Sequence, residues 1–488
     1  MQVSSPTVPV MTTYSPDSMV CRPLSPLERW HWVADRISPL HVIARARVYG
    51  ALPIPLLRRA LDELQDRHPL LSVAIRADDA DMEPWFVPRP VPIPLRSRNL
   101  DTGGSAHLAC WWEVEVNERE LCEPIDVSRG PLARAVILTR VAASGTGEDV
   151  HDLLLTLSHC IADGTTALAL LEEWIRLAAR RAGAGPHSVV DPGPARWPVR
   201  PEAEAMFPRR HQGLPGAMSA MTRQLRDQAS WPRRQARRLA PSTPVPAEQR
   251  RTRLLHRSLS QAQFSALMRV CDREDTTVHG ALAAAMIAAV AQETGVAGPG
   301  RYVIGSPVDF RADLEPPVSR REAGSYVATL RSYPLYRPGE PLWPTAREVS
   351  RDLARRRRNG GHFAVVNLLG LMGPESAATS GPSVRRLESR ELGDLRLSNI
   401  GRYDFPDRIG EWRVDGAQFV AGVSVSGYFV ATVNTSHHQL HWNFTYAEGV
   451  LSRKRAQGLV TACVEGLLSA VWGPSQGWPV SSHALGAH

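Results

Sequence analysis

A chain of 488 residues exceeds what one ordinary core organises and suits two domains of about 200 residues each with a connector. With 43% hydrophobic and 22% charged residues it has globular composition, which excludes global disorder. The net charge of +8 fits an acidic partner, yet Lys454 is the only lysine, and an arginine bias of this kind also follows from GC-rich coding, so charge alone assigns no partner.

The six cysteines, Cys21, Cys110, Cys122, Cys160, Cys271 and Cys463, are scattered with no CxxC pair, so neither a zinc site nor a disulfide framework is expected. Residues 1–18 carry no charged start followed by an apolar run; no secretory signal is expected, and a cytoplasmic location follows by default. The most apolar stretch, 280–290, falls short of the roughly 20 residues that cross a bilayer and reads as a buried helix.

In chain order, residues 1–24 are expected to be mobile. Ser25-Pro-Leu-Glu-Arg-Trp30 opens a helix, and residues 42–49 alternate as a strand. Leu56, Leu57, Ala60, Leu61 and Leu64 recur at helical spacing until His68-Pro69 stops the pattern, and residues 70–76 return as a strand. Strands follow at 133–139 and 152–158, then a helix from Gly164 towards Arg181. From 183 to 252 the prolines Pro186, Pro192, Pro194, Pro198, Pro201, Pro208 and Pro215 predict a connector with little regular structure, carrying the basic cluster Arg233, Arg234, Arg237 and Arg238 on a solvated helical face. Helices at 260–271 and 277–293 open the second half. Residues 418–425, 428–433 and 440–446 read as antiparallel strands, a helix near 452–472 closes the fold, and 474–488 form a tail. The chain thus divides into an N-terminal lobe over 25–182, the connector, and a C-terminal lobe over 253–473.

Ser158-His159-Cys160-Ile161-Ala162-Asp163-Gly164 sits where an apolar strand gives way to a helix, a place where scaffolds present reactive groups. Histidine accepts a proton from a hydroxyl or amine near neutral pH. Gly164 lets the chain turn tightly, and Asp163 is suited to fix the loop by pairing with an arginine or backbone amides, or to cap the helix.

This segment resembles the HHxxxDG signature of the chloramphenicol acetyltransferase-like superfamily, which includes condensation domains, wax ester synthases, plant BAHD enzymes and phthiocerol dimycocerosyl transferase-type proteins. Arg67-His68-Pro69-Leu70-Leu71 is similar to the family's RHPLLR stretch, and residues 124–134 to its PFDLxxGPLxR segment. Residues 276–285, Gly305 to Arg311 and Leu397 to Gly401 resemble later signatures, in family order.

The resemblance implies an α/β fold of two lobes with mixed sheets and an active-site tunnel between them, where donor and acceptor meet at His159. It implies His159 as general base, Asp163 and Gly164 as loop-orienting residues, and no metal or tightly bound cofactor. The donor it implies is a phosphopantetheine thioester on an acyl or peptidyl carrier protein or on coenzyme A, with a small-molecule hydroxyl or amine as acceptor. Ser158 stands where the family has its first histidine.

Ser398 and Asn399 are candidate oxyanion or tunnel contacts, with a turn-forming role equally open. Arg311 is read as structural, pairing with a carboxylate. His437, His438 and His441 suit a turn between strands better than a metal site. The leading reading is an acyltransferase of specialised metabolism. Its rivals are cyclisation or another reaction on a carrier-bound chain, and a noncatalytic homologue that binds a carrier protein. No nucleic-acid reader motif accompanies the positive charge.

Overall fold

The computed structural model describes residues 19–77, 83–100, 111–142, 148–183, 194–229, 236–295, 297–376, 378–383, 385 and 393–473. The expected mobile start and tail fall largely on 1–18 and 474–488, outside the described residues.

Local signals in the chain set many of the elements. Ser25 and Glu28 form a reciprocal capping box at the head of helix Pro26–Ile37, with Ser25 N donating to Glu28 Oε2 at 2.8 Å and Glu28 N to Ser25 Oγ at 3.2 Å. Helix Ile54–Arg67 follows the leucine spacing and stops at His68-Pro69, but Pro69–Ser72 is a 3-10 turn, so the following strand is only Val73–Arg76. Strand Val150–Ser158 is buried on both faces. Leu153, Leu155 and Leu157 join the core under the helices, while Leu154 packs with Trp112 and Val116 on the opposite side, which is why the strand reads as an unbroken apolar run.

Two six-stranded mixed sheets form the two lobes. The N-terminal sheet runs Arg408–Ile409, Trp412–Ala421, His41–Tyr49, Val150–Ser158, Ala133–Arg140, Leu95–Asn99. Helices Ile54–Arg67 and Gly164–Arg181 cover one face, tied by the Trp174 indole N–H donating to Leu57 O at 2.9 Å. The C-terminal sheet runs Val327–Ser332, Ile304–Asp309, Leu395–Arg402, Phe429–Ser436, Gln439–Glu448, Arg251–Leu259, backed by helices Val278–Thr294 and Arg453–Trp472 around buried Trp442 and Phe444. Each fully buried large apolar side chain contributes about 1.5–3 kcal/mol.

Three sequence expectations need correction. The connector holds a helix, Gly213–Ala229: Pro215 lies in its first turn, where a missing N–H breaks no bond. Arg237 and Arg238 do not line a helical face; Arg237 donates to Gly298 O and Pro299 O at 3.2 Å each, and Arg238 pairs with Asp394 at 2.7 Å, while Arg233 and Arg234 lie outside the described residues. Finally, Phe429–Ser436 and Gln439–Glu448 pair antiparallel, but Trp412–Ala421 leaves them and pairs with His41–Tyr49 of the other lobe. Alternation marks a strand without naming its partner.

The free edge of this crossing strand is closed by side chains of the C-terminal sheet. Ala417 O accepts from Asn434 Nδ2 at 2.9 Å, and Phe419 O accepts from Thr432 Oγ1 at 3.0 Å and Asn443 Nδ2 at 2.9 Å. At the strand's bulge Gly416 has φ +61, a left-handed conformation that favours glycine. Replacing Asn434 with Ala removes donors and an acceptor from a buried seam; the expected loss is about 1–3 kcal/mol, read as a lower urea midpoint with an unchanged slope.

Candidate active site

Ser158 is the last residue of its strand, paired with His41, and is fully buried. Its Oγ accepts from Cys160 N at 3.4 Å and its carbonyl from Ile161 N at 3.1 Å, turning the chain so that His159 projects from the strand end. The His159 backbone N–H is held by Leu40 O at 3.2 Å. Its Nδ1 lies 3.4 Å from Ser325 Oγ, and its ring stacks on that of His31, with centroids 4.1 Å apart and planes at 26°. Burial lowers the basicity of His159 from the ordinary 6.5; backbone hydrogen bonds and the charges of Asp163 and Asp35 act in the opposite sense. His31 is pushed well below 6.5 by burial and by His159 beside it. The Cys160 thiol is buried and pushed up, with its Sγ 3.6 Å from Glu28 O, so it is no thiolate.

Asp163 faces away from this pair of rings into a second network. Its Oδ1 caps helix Gly164–Arg181 by accepting from Thr166 N at 3.1 Å. Oδ2 accepts from Tyr326 N at 2.9 Å and pairs with Arg311 Nη1 at 2.9 Å, both charged side chains being 2% exposed. Arg311 also reaches Asp309 Oδ2 at 3.1 Å, Gly324 O at 3.1 Å and Thr166 Oγ1, and lies over the Tyr326 ring. The guanidinium, with the amides of Thr166 and Tyr326, holds the Asp163 carboxyl below its usual range despite burial. Gly164 is required for space rather than for a turn. A Cβ there would meet the Phe419 ring of the crossing strand at 2.5 Å.

The remaining sequence candidates separate from this centre. Ser398 and Asn399 lie on Leu395–Arg402 beside Thr432 and Val433; Asn399 Oδ1 accepts from Gly401 N at 2.8 Å at a bulge, and neither residue bonds to His159 among the described residues. His437 and His438 form the turn, with φ of 48° and 61°, and no cluster suited to a metal occurs among the described residues. Sequence reasoning missed His31 and Ser325. The signal for His31 was a histidine one helical turn from the capping Glu28, on the face that buries Leu27; nothing local marks Ser325.

His159 thus stands at a strand end between two mixed-sheet lobes, with Asp163 locked in a buried ion pair four residues on. The family description "Phthiocerol/phthiodiolone dimycocerosyl transferase C-terminus" matches residues 248–374, and "Wax ester synthase/diacylglycerol acyltransferase catalytic domain" matches 147–281, which includes His159. Chondramide synthase cmdD of Chondromyces crocatus is 30% identical over 146 residues; the match covers 29% of this chain and only 4% of that protein. Among solved structures, trichothecene 15-O-acetyltransferase TRI3 from Fusarium sporotrichioides superposes with a TM-score of 0.68 at 13% identity, covering 95% of this chain and 100% of that one. Polyketide synthase associated protein 5 from Mycobacterium tuberculosis gives 0.62 at 17% identity, covering 93% and 98%. A mutant starter condensation domain of rhizomide synthetase RzmA in complex with C8-CoA gives 0.64 at 14%, covering 93% and 95%. Two acyltransferase family models thus match parts of residues 147–374, the solved structures share the fold over more than nine-tenths of the chain, and together these findings support the chloramphenicol acetyltransferase-like superfamily of acyltransferases and condensation domains.

Asp163→Ala leaves the Arg311 charge buried without its main partner; the expected cost is about 3–5 kcal/mol, seen as a lower Tm. Because the folded carboxyl titrates below its unfolded value, the pair's contribution is present above the ordinary carboxylate range and lost as pH falls through the depressed value; the variant's pH–stability curve is expected to be flatter there.

Proposed function

We propose that the protein transfers an acyl group from a phosphopantetheine thioester, on a carrier protein or coenzyme A, to the hydroxyl or amine of a small molecule. The observation that carries this reading is the setting of His159, a weakly basic imidazole at the junction of the lobes, steadied by Ser325 and His31 while Asp163 is occupied elsewhere. His159 takes the proton of the acceptor as its oxygen or nitrogen bonds to the acyl carbon. The carbon–sulfur bond breaks, and the proton passes from His159 to the leaving thiolate. A hydroxyl acceptor is favoured by the similarity in fold to the trichothecene 15-O-acetyltransferase, and the thioester donor by that to the condensation domain in complex with C8-CoA. Asp163, Gly164 and Arg311 are assigned to shaping the loop.

The test is incubation with panels of acyl-coenzyme A and acyl-carrier-protein donors, following thiol release and product mass with and without acceptors. His159→Ala is expected to lower turnover by roughly 10²-fold or more with an unchanged Tm. In the wild type the acid limb of kcat/KM is expected below pH 6.5, because burial disfavours the charged imidazole. Wild-type turnover in His159→Ala removes the reading.

Ser158 separates a base from a nucleophile mechanism. Its buried Oγ is engaged with the Cys160 amide, so Ser158→Ala is expected to keep most activity, and mass spectrometry of the wild type with donor alone to show no acyl-enzyme.

A further inference from the structure

We propose that His31 is a positioning residue for His159: its ring, fixed on helix Pro26–Ile37, holds the His159 imidazole in place by stacking on it. The proposal rests on the reading of His159 as the base.

The helix that carries His31 is anchored on both sides of it. Arg22 binds Glu28 through both carboxylate oxygens at 2.8 Å each, and Glu28 closes the capping box. Beyond His31, Ala34 O accepts from Ser424 Oγ at 2.9 Å, and Asp35 Oδ1 accepts at 2.7 Å from the backbone N–H of Leu40, the same residue whose carbonyl holds the His159 amide. The His31 ring is therefore a fixed wall. With centroids 4.1 Å apart and planes at 26°, it covers one face of His159.

His31 is more than a packed ring: it is tied to the His159 backbone by a hydrogen bond that leucine or phenylalanine could not make, while its Nδ1 is buried without a hydrogen-bond partner. The loop itself offers no second ring, because the position before His159 is Ser158, whose hydroxyl is turned back to Cys160 N. A neighbouring element supplies the ring instead.

During transfer His159 carries positive charge between taking the acceptor's proton and giving it to the thiolate. A neutral ring at this place leaves that charge unopposed, whereas a second protonated histidine would repel it. Burial keeps His31 neutral, and proximity to His159 disfavours a second proton. The other groups that act on His159 are the more distant charges of Asp163, at the start of helix Gly164–Arg181, and Asp35, on the helix of His31, and the neutral Ser325 hydroxyl of the C-terminal lobe against its Nδ1.

The experiment compares His31→Ala and His31→Phe, alone and combined with His159→Ala. Two readouts are used: the imidazole proton titration of His159 by NMR, identified by its loss in His159→Ala, and thiol release from acyl-coenzyme A donors. In His31→Ala the His159 midpoint is expected to rise towards 6.5 as water replaces the ring, and kcat to fall by roughly 10- to 10²-fold with little change in KM. His31→Phe, which keeps a flat apolar wall and the fold, is expected to restore the midpoint and most of kcat. Adding His31→Ala to His159→Ala is expected to cause no further loss. An unchanged midpoint in His31→Ala, a phenylalanine variant as impaired as the alanine one, or a full additional loss in the double variant overturns the proposal. Retained turnover in His159→Ala overturns the base reading instead, and the midpoint then still decides whether His31 sets the His159 ring.

Discussion

The buried ion pair between Asp163 and Arg311 is the constraint on which the rest of the site depends. It joins the first turn of a helix in one lobe to a strand end in the other, and both side chains are almost fully removed from water. Two charges so placed pay a large desolvation penalty, which is offset only when every remaining donor and acceptor is well directed. Here the carboxylate also accepts from Thr166 N and Tyr326 N, and the guanidinium from its other edge reaches Thr166 Oγ1 and the Gly324 carbonyl. One arrangement of the lobes satisfies all these groups together. That arrangement brings Ser325, the neighbour of Tyr326, against His159.

The same pair shapes the electrostatics above it. The Asp163 carboxylate, four residues from His159, favours imidazolium, but burial acts more strongly in the opposite sense. Burial then dominates, and His159, His31 and Cys160 all rest in their neutral forms. The site thus has neutral rings on one side and a buried ionic network on the other, separated by the short loop from Cys160 to Ala162, all fully buried.

What the chain discloses locally was legible: the capping box at Ser25, the leucine spacing before His68-Pro69, and the reactive loop between an apolar strand and a helix. The pairing of Asp163 with an arginine was one of two partners expected from chemistry, and the structure supplies both an arginine and backbone amides. What was not legible depends on contacts between distant segments. The need for Gly164 arises from Phe419, some 250 positions later, and no local pattern shows it. Trp412–Ala421 has the alternation of any half-buried strand, and only the polar ladder of Thr432, Asn434 and Asn443 beneath it explains why it sits across the lobes. His31 and Ser325 carry no motif; each acquires its place from the helix or strand beside it.

The crossing strand has a consequence for biosynthesis. On a ribosome the chain emerges from its N-terminus, so strands His41–Tyr49 and Val150–Ser158 are complete long before Trp412–Ala421 is made. Until then His41–Tyr49 presents an open, largely buried-type edge, a template for pairing with other chains. The N-terminal lobe therefore cannot finish folding as an autonomous domain during synthesis, in contrast to the usual order in which the first domain folds first. Its sheet stays incomplete until residues 412–421 have been made.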